Sequence, residues 1–201
     1  YYEYFIDEEI IFLHKKKIEA KKYSIFKNYS RKINLEIGFG DGEFLIKNAI
    51  SNPEEIFIGV EVYLNGIVKV LKKILNSNIQ NIKLCNLNSI YLLETLPKKS
   101  VDKIYVINPD PWTKKRHNKR RLITPENLKL FNKVVKSKGS VSITTDSENY
   151  VKAIRELSIY NKALIGEINI RLLNKNDVLY GISRYQRKAI KKGDKIYLIT
   201  I

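Results

Sequence analysis

The chain holds one cysteine, one tryptophan, two histidines, five prolines and no methionine in 201 residues. A lone cysteine, Cys85, excludes an intramolecular disulfide and any metal site built from several thiolates, and it reads as a small core residue of a reducing compartment. His14 and His117 show no metal-ligand spacing between them, so no metal is expected. No apolar run approaches the roughly 18 residues of a membrane span. The chain does not open as a signal peptide, and the expectation is a soluble, cytoplasmic protein with no membrane partner. Internal repeats and low-complexity linkers are absent, as is any Ser-His-Asp or Cys-His nucleophile arrangement.

What is present is enough apolar material, 44% of residues, for one globular domain with a sizeable core. Thirty-seven Lys and Arg against twenty-one Asp and Glu leave a formal charge of +16, which attracts a polyanion at long range. Nucleic acid is the first partner to consider. In a chain rich in Lys, Ile and Asn, however, the placement of charge says more than its total. From Ile33 onward, β-branched runs alternate with segments of helical period, the pattern of a parallel sheet covered by helices on both faces. The class is therefore α/β. Strands are expected at 33–38, 56–62, 82–86, 102–107, 140–145, 165–172 and 195–201. Helices are expected at 42–51, 64–76, 89–96, 124–137, 147–158 and 183–192, with Thr124 and Ser147 as N-caps. Residues 1–32 read as a basic N-terminal extension, carrying Lys15, Lys16, Lys17, Lys21 and Lys22, ahead of a domain over 33–201.

Asn34-Leu35-Glu36-Ile37-Gly38-Phe39-Gly40-Asp41-Gly42 is an apolar strand ending in a G-x-G-x-G turn. Glycines there allow a sharp turn and let a ligand approach the backbone. A dinucleotide site would show G-x-G-x-x-G, and its phosphates would be repelled by Glu36. A carboxylate at Glu36 suits the cationic amino-acid end of a sulfonium cofactor such as S-adenosylmethionine. Glu61 closes the next strand, about 20 residues beyond the turn, where an acid accepts ribose hydroxyls. Asn88, after the third strand, offers an amide to an adenine edge.

After the fourth strand comes Asn108-Pro109-Asp110-Pro111-Trp112, whose prolines stiffen a turn that holds Asp110 and Trp112 beside the cofactor. Lys114, Lys115, Arg116, Lys119, Arg120 and Arg121 follow at once, a cationic run placed for phosphates. A second basic cluster, Arg184, Arg187, Lys188, Lys191 and Lys192, recurs after Gly181.

Taken together, Glu36-Ile37-Gly38-Phe39-Gly40, Gly59-Val60-Glu61-Val62 and Pro109-Asp110-Pro111-Trp112 with its basic tail make residues 31–201 resemble the bacterial tRNA (guanine-N7-)-methyltransferase family. The resemblance implies a class I, Rossmann-like methyltransferase fold with a mostly parallel seven-stranded sheet, and methylation of a variable-loop guanine in tRNA. By motif, Glu36, Gly38, Gly40, Glu61, Asn88 and Asp110 are implied to bind S-adenosylmethionine. Lys114, Asp146, Ser183, Arg184, Tyr185 and Gln186 are implied to contact the RNA. The chain departs from the pattern in having Asn88 for Asp, Asn108 for Phe, Thr113 for Pro, and Ser183 and Gln186 for Thr and Glu. Guanine N7 carries a lone pair and no proton, so transfer needs no prior general base, and Asp110 is the candidate to stabilise the charge that develops on the ring. The rival readings are an exocyclic-amine RNA methyltransferase, a tRNA binder without turnover and, least favoured, a nicotinamide dehydrogenase. The state of assembly is either monomer or homodimer.

Overall fold

The structure, a computed structural model, describes residues 30–161 and 166–201. The basic extension expected over residues 1–32 lies outside the described residues except for 30–32, and so do His14 and Ile165.

Ile33–Ile37 forms β1, and all five of its residues are buried, as a central strand covered on both faces requires. It is flanked by β2 (Ile56–Glu61) and β4 (Val101–Ile107), both parallel to it. With β3 (Ile82–Asn86), β5 (Val135–Thr145), β6 (Asn169–Leu172) and β7 (Tyr197–Thr200) the sheet has seven strands in the order β3-β2-β1-β4-β5-β7-β6. Only β7 runs antiparallel to its neighbours β5 and β6.

Helices fill the crossovers: α1 (Glu43–Ser51), α2 (Leu64–Asn76), α3 (Ser89–Thr95), α4 (Pro125–Val134), α5 (Glu148–Tyr160) and α6 (Arg184–Lys192). Successive strand residues supply two cores. Ile56, Ile58 and Val60 belong to one continuous core with Leu92, Leu93, Phe131, Tyr150 and Ile154 from α3, α4 and α5. On the other face Phe57 joins Leu45, Ile67, Val70 and Ile74 from α1 and α2. Ile67, Val70 and Ile74 recur at helical spacing on α2, and burying each such side chain contributes about 1.5–3 kcal/mol. Cys85 is buried in the first of these cores, and burial pushes its thiol up to about 12, which keeps it protonated.

Both expected caps are in place, with Thr124 Oγ1 accepting from the Asn127 N–H and Ser147 Oγ from the Tyr150 N–H. Several boundaries shift by a few residues: β5 starts at Val135 rather than 140, β6 at Asn169 rather than 165, and α5 runs to Tyr160 rather than 158. The helix expected to run to Ser137 stops at Val134, and β5 starts at the next residue. Tertiary pairing overrides the local pattern here: Val135 pairs with Val101, and Lys136 binds Asp102 Oδ2 at 2.8 Å. Asp102 in turn accepts the Ile33 N–H at 2.9 Å, so the same carboxylate anchors the start of β1.

Candidate active site

The chain order reverses at β1, with β2 and β3 on one side and β4 and β5 on the other. Beyond the carboxyl ends of the strands, such a switch point opens a crevice. The turn after β1 forms one wall. Gly38, Gly40 and Gly42 have φ of 71°, 54° and 67°, which side-chain-bearing residues rarely adopt. No atom lies within 4 Å of where a Cβ on Gly38 or Gly40 would stand, so the space over the turn is open. Behind it the packing is tight, because a Cβ on Gly66 of α2 would overlap the Gly40 carbonyl oxygen. Gly66→Ala is expected to displace that carbonyl at a cost of roughly 1–3 kcal/mol. Thermal unfolding then shifts down by roughly 2–4 °C per kcal/mol; an unchanged transition would contradict the close contact.

Glu36 stands one residue before the end of β1 and is 3% exposed. Its carboxyl is raised to about 8, first by burial and then by the charge of Glu61, against a backbone hydrogen bond from Leu45 in the first turn of α1. Its Oε2 is buried without a hydrogen-bond partner among the described residues. An unmet buried oxygen of this kind is costly until a donor or cation arrives.

Glu61 ends β2 and is already engaged. Oε2 accepts the Gly40 N–H at 3.0 Å, and Oε1 accepts those of Val62 and Tyr63 at 2.7 and 2.9 Å. It therefore ties the glycine turn to the second strand. A carboxylate offers about four acceptor sites, so ribose hydroxyls can still be received. Asn88 is exposed and caps α3, its Oδ1 accepting the Ile90 N–H at 2.8 Å. An adenine contact then falls to its Nδ2.

A second loop follows β4. Asp110 is exposed, while Asn108 and Trp112 have φ of 50° and 43°, so both ends of this five-residue loop are held in the left-handed region. Arg121 braces the loop. Its Nε donates to Pro111 O at 2.8 Å, and its guanidinium lies 4.9 Å from the centre of the Tyr150 ring. Only 9% exposed, Arg121 is a structural cation rather than a surface one, and the expectation that all six cations serve phosphates is corrected at this position. Arg120 lies 5.1 Å over the Trp112 ring, and His117 meets that ring edge-on at 5.6 Å. The basic run coils as one 3-10 helix over Lys115–Arg120, leaving Lys114, Lys115, Arg116 and Lys119 exposed.

Asp146 is exposed just beyond β5, and Ser183 caps α6 through its Oγ, which accepts the Gln186 N–H. Tyr185 is 63% exposed with Arg184 5.7 Å from its ring, so this pair is available to a ligand. Gln186, grouped with them by motif, is instead fully buried and reaches Thr144 Oγ1 at 3.1 Å. The start of α6 lies within electrostatic reach of the glycine turn. Asp41 is held below the usual carboxylate range first by its hydrogen bond from Lys69, and Arg184 and Lys73 add to that pull. Arg187 grips both oxygens of Glu43, at 2.8 and 3.0 Å, joining α6 to α1.

The structure thus places Gly38, Gly40, Glu36 and Glu61 at the carboxyl ends of β1 and β2, and Asp110 and Trp112, with Lys114 just beyond them, after the adjacent parallel strand β4. Sequence reasoning missed Thr144, Tyr150 and the inward use of Arg121. Tyr150 and Ile154 at helical spacing could have marked a core face, but nothing local marks the partners of these three side chains. Among the described residues no group of three His, Cys, Asp or Glu could hold a metal, and no helix is long and apolar enough to cross a membrane.

Residues 30–199 match the family model described as "Putative methyltransferase". The chain is 43% identical over 166 residues to a bifunctional methyltransferase of Rickettsia felis, covering 80% of this chain and 30% of that protein. It therefore spans about a third of the length of that relative. It is 35% identical over 192 residues to the tRNA (guanine-N(7)-)-methyltransferase of Wolbachia pipientis wMel, covering 94% of this chain and 84% of the relative. Among solved structures, a 30S ribosomal A1408 methyltransferase from an uncultured bacterium superposes with a TM-score of 0.62 at 22% identity, over 94% of this chain and 93% of that one, a likeness of fold. Matched over almost its whole length by the Wolbachia protein and from residue 30 to 199 by the family model, the chain belongs to the tRNA (guanine-N(7)-)-methyltransferase family.

Proposed function

We propose that this chain transfers a methyl group from S-adenosylmethionine to N7 of a guanine in the variable loop of tRNA. The observation that carries the reading is the pairing of a buried carboxyl lacking a partner among the described residues, Glu36, with an open glycine turn, beside the loop that carries exposed Asp110 and half-buried Trp112 and runs into a basic helix. The donor set fits such a cofactor. Glu36 would hold its ammonium group, Glu61 its ribose hydroxyls and Asn88 its adenine, while Gly38 and Gly40 let it approach the backbone. When bound, the cofactor supplies an electrophilic methyl on a sulfonium. Asp110 would stand near the reacting pair and stabilise the positive charge gathering on the base. Trp112, fixed by His117 and Arg120, would form a wall against it. Lys114, Asp146, Ser183, Arg184 and Tyr185 would orient the RNA. The reading implies a cytoplasmic protein acting on tRNA as monomer or homodimer, built as a methyltransferase domain over 33–201 behind a basic extension over 1–32.

The test is to incubate the protein with labelled cofactor and unmodified total tRNA and to map the product. N7-methylguanine in the variable loop, detected by borohydride-aniline cleavage, is expected; a base methylated on an exocyclic amine, or no transfer, would overturn the reading. The basic helix makes a separate prediction. Replacing Lys115, Arg116 and Lys119 together by Ala is expected to lower tRNA affinity and flatten its salt dependence by roughly 0.7–0.9 log units per log salt for each lost phosphate contact. Filter binding at several salt concentrations checks this, and an unchanged slope places the RNA surface elsewhere. Arg121→Ala should instead lower stability, because its guanidinium is buried against Tyr150 and the loop backbone.

A further inference from the structure

Asn108 and Gln186, two positions at which the chain departs from the pattern it resembles, meet at one hydroxyl. Gln186 Nε2 donates to Thr144 Oγ1 at 3.1 Å, and Thr144 Oγ1 donates to Asn108 Oδ1 at 3.0 Å. The Asn108 backbone N–H is directed back to Thr144, 3.0 Å from its carbonyl oxygen and 3.2 Å from Oγ1. At the far end Gln186 Oε1 accepts the Ile182 N–H at 3.3 Å. Thr144 and Gln186 are both 0% exposed, so water does not compete for these bonds.

The chain of contacts begins at the first residue of the loop that carries Asp110 and Trp112, crosses the end of β5, and ends at the entry to α6, which carries Arg184 and Tyr185. The φ of 50° at Asn108 lies in the left-handed region, which Asn tolerates better than most side chains, and both its backbone N–H and its Oδ1 are held there by Thr144. Satisfaction of polar groups alone does not select an amide at this position, because Asn108 Nδ2 is buried without a partner among the described residues.

We infer that Asn108, Thr144 and Gln186 are positioning residues that lock the Asp110–Trp112 loop in register with the start of α6. The inference rests on the proposed methyl transfer for its kinetic consequence, but not for its structural one. An amide at 186 and an amide at 108 are then a matched pair, each supplying one partner to the same hydroxyl. Direct contact between Gln186 and RNA is not required.

Trp112 is the only tryptophan, so its emission reports on the loop independently of turnover. Thr144→Val removes the hydroxyl at nearly constant volume. It is expected to raise acrylamide quenching of Trp112 and to lower kcat about tenfold or more through loss of alignment, with little change in KM for tRNA. Thr144→Ser, which keeps the hydroxyl, should restore both readouts. Gln186→Leu should reproduce the Val effect, and the double variant should be no worse than either single one, as expected for one shared path. Unchanged quenching in Thr144→Val, or a Ser variant as impaired as the Val one, overturns the proposal, and so do additive effects of the two replacements. If the unaltered protein transfers no methyl group, the functional reading fails by itself, and the quenching series still decides the positioning role.

Discussion

Asp110→Ala is expected to lower the rate of methyl transfer about 10²–10³-fold, comparable to losing one pre-aimed charge-stabilising group, while tRNA affinity changes little. In the proposed reaction guanine N7 attacks with a lone pair and loses no proton, so no general base is needed before transfer. What the protein can supply is alignment and a field. As the methyl group moves, positive charge leaves sulfur and gathers on the ring, and a carboxylate fixed beside the ring becomes more favourable along the way. Asp110 is an exposed acid on a loop held at both ends in the left-handed region, with Arg121 binding the loop carbonyls from below. Its charge reaches Tyr150, where it adds to the rise in that phenol caused chiefly by burial. Asp110→Asn keeps the shape and removes the charge, and it should be nearly as slow as Asp110→Ala. Single-turnover rates with filter-binding affinities check both variants; an equal loss of rate and affinity would make Asp110 a binding residue instead.

Glu36→Gln is expected to stabilise the free protein while weakening its hold on the cofactor. The folded carboxyl is raised from 4.5 to about 8. Between those values the unfolded chain gives up a proton that the folded chain keeps, so stability falls as pH rises through the window and levels off above about 8. At roughly 1.4 kcal/mol per tenfold, the loss is on the order of several kcal/mol by pH 8. The amide never ionises, and it keeps an acceptor for the Leu45 N–H. Its melting temperature should therefore exceed that of the unaltered protein at pH 8 and match it near pH 4.5. Binding goes the other way. An ammonium group brought beside Glu36 favours the ionised carboxylate, so cofactor binding at pH 7 should release a proton, and affinity should rise from pH 6 to 8. The substitution should cost about 1.5–3 kcal/mol of affinity, the range for a hydrogen bond to a charged group. Calorimetry in buffers of different ionisation enthalpy reads the proton directly.

Much of the architecture is legible in residue order because local and global preferences agree there. Ile33–Ile37 and Ile56–Glu61 are short apolar strands ahead of turns, and the sheet places both in its interior, flanked on each side by another strand. Thr124 and Ser147 cap the helices they precede. The end of α4 was not legible, since the residues that follow Val134 continue a helical-looking pattern until pairing with β4 claims Val135. The reversed direction of β7 depends on a β5 neighbour more than fifty residues earlier in the chain, and no local signal carries it.

For the site, residue types at strand ends were informative and their partners were not. Glu36 could be placed beside the glycine turn, but its unpartnered oxygen could not be foreseen. Six cations within eight residues, Lys114 to Arg121, look alike in sequence. Only the fold separates Arg121, folded inward against Tyr150, from the exposed Lys115 and Lys119. Gln186 resembles a substrate contact by motif, yet it lies in the interior because α6 turns that face onto Thr144.

The most direct measurement is a crystal structure of the protein with S-adenosylmethionine bound. The cofactor's ammonium group should lie within hydrogen-bond distance of Glu36, its ribose hydroxyls against Glu61, and its methyl group open toward Asp110. A donor seated elsewhere, or one whose amino end lies far from Glu36, would contradict the assignment of this crevice as the methyl-transfer site.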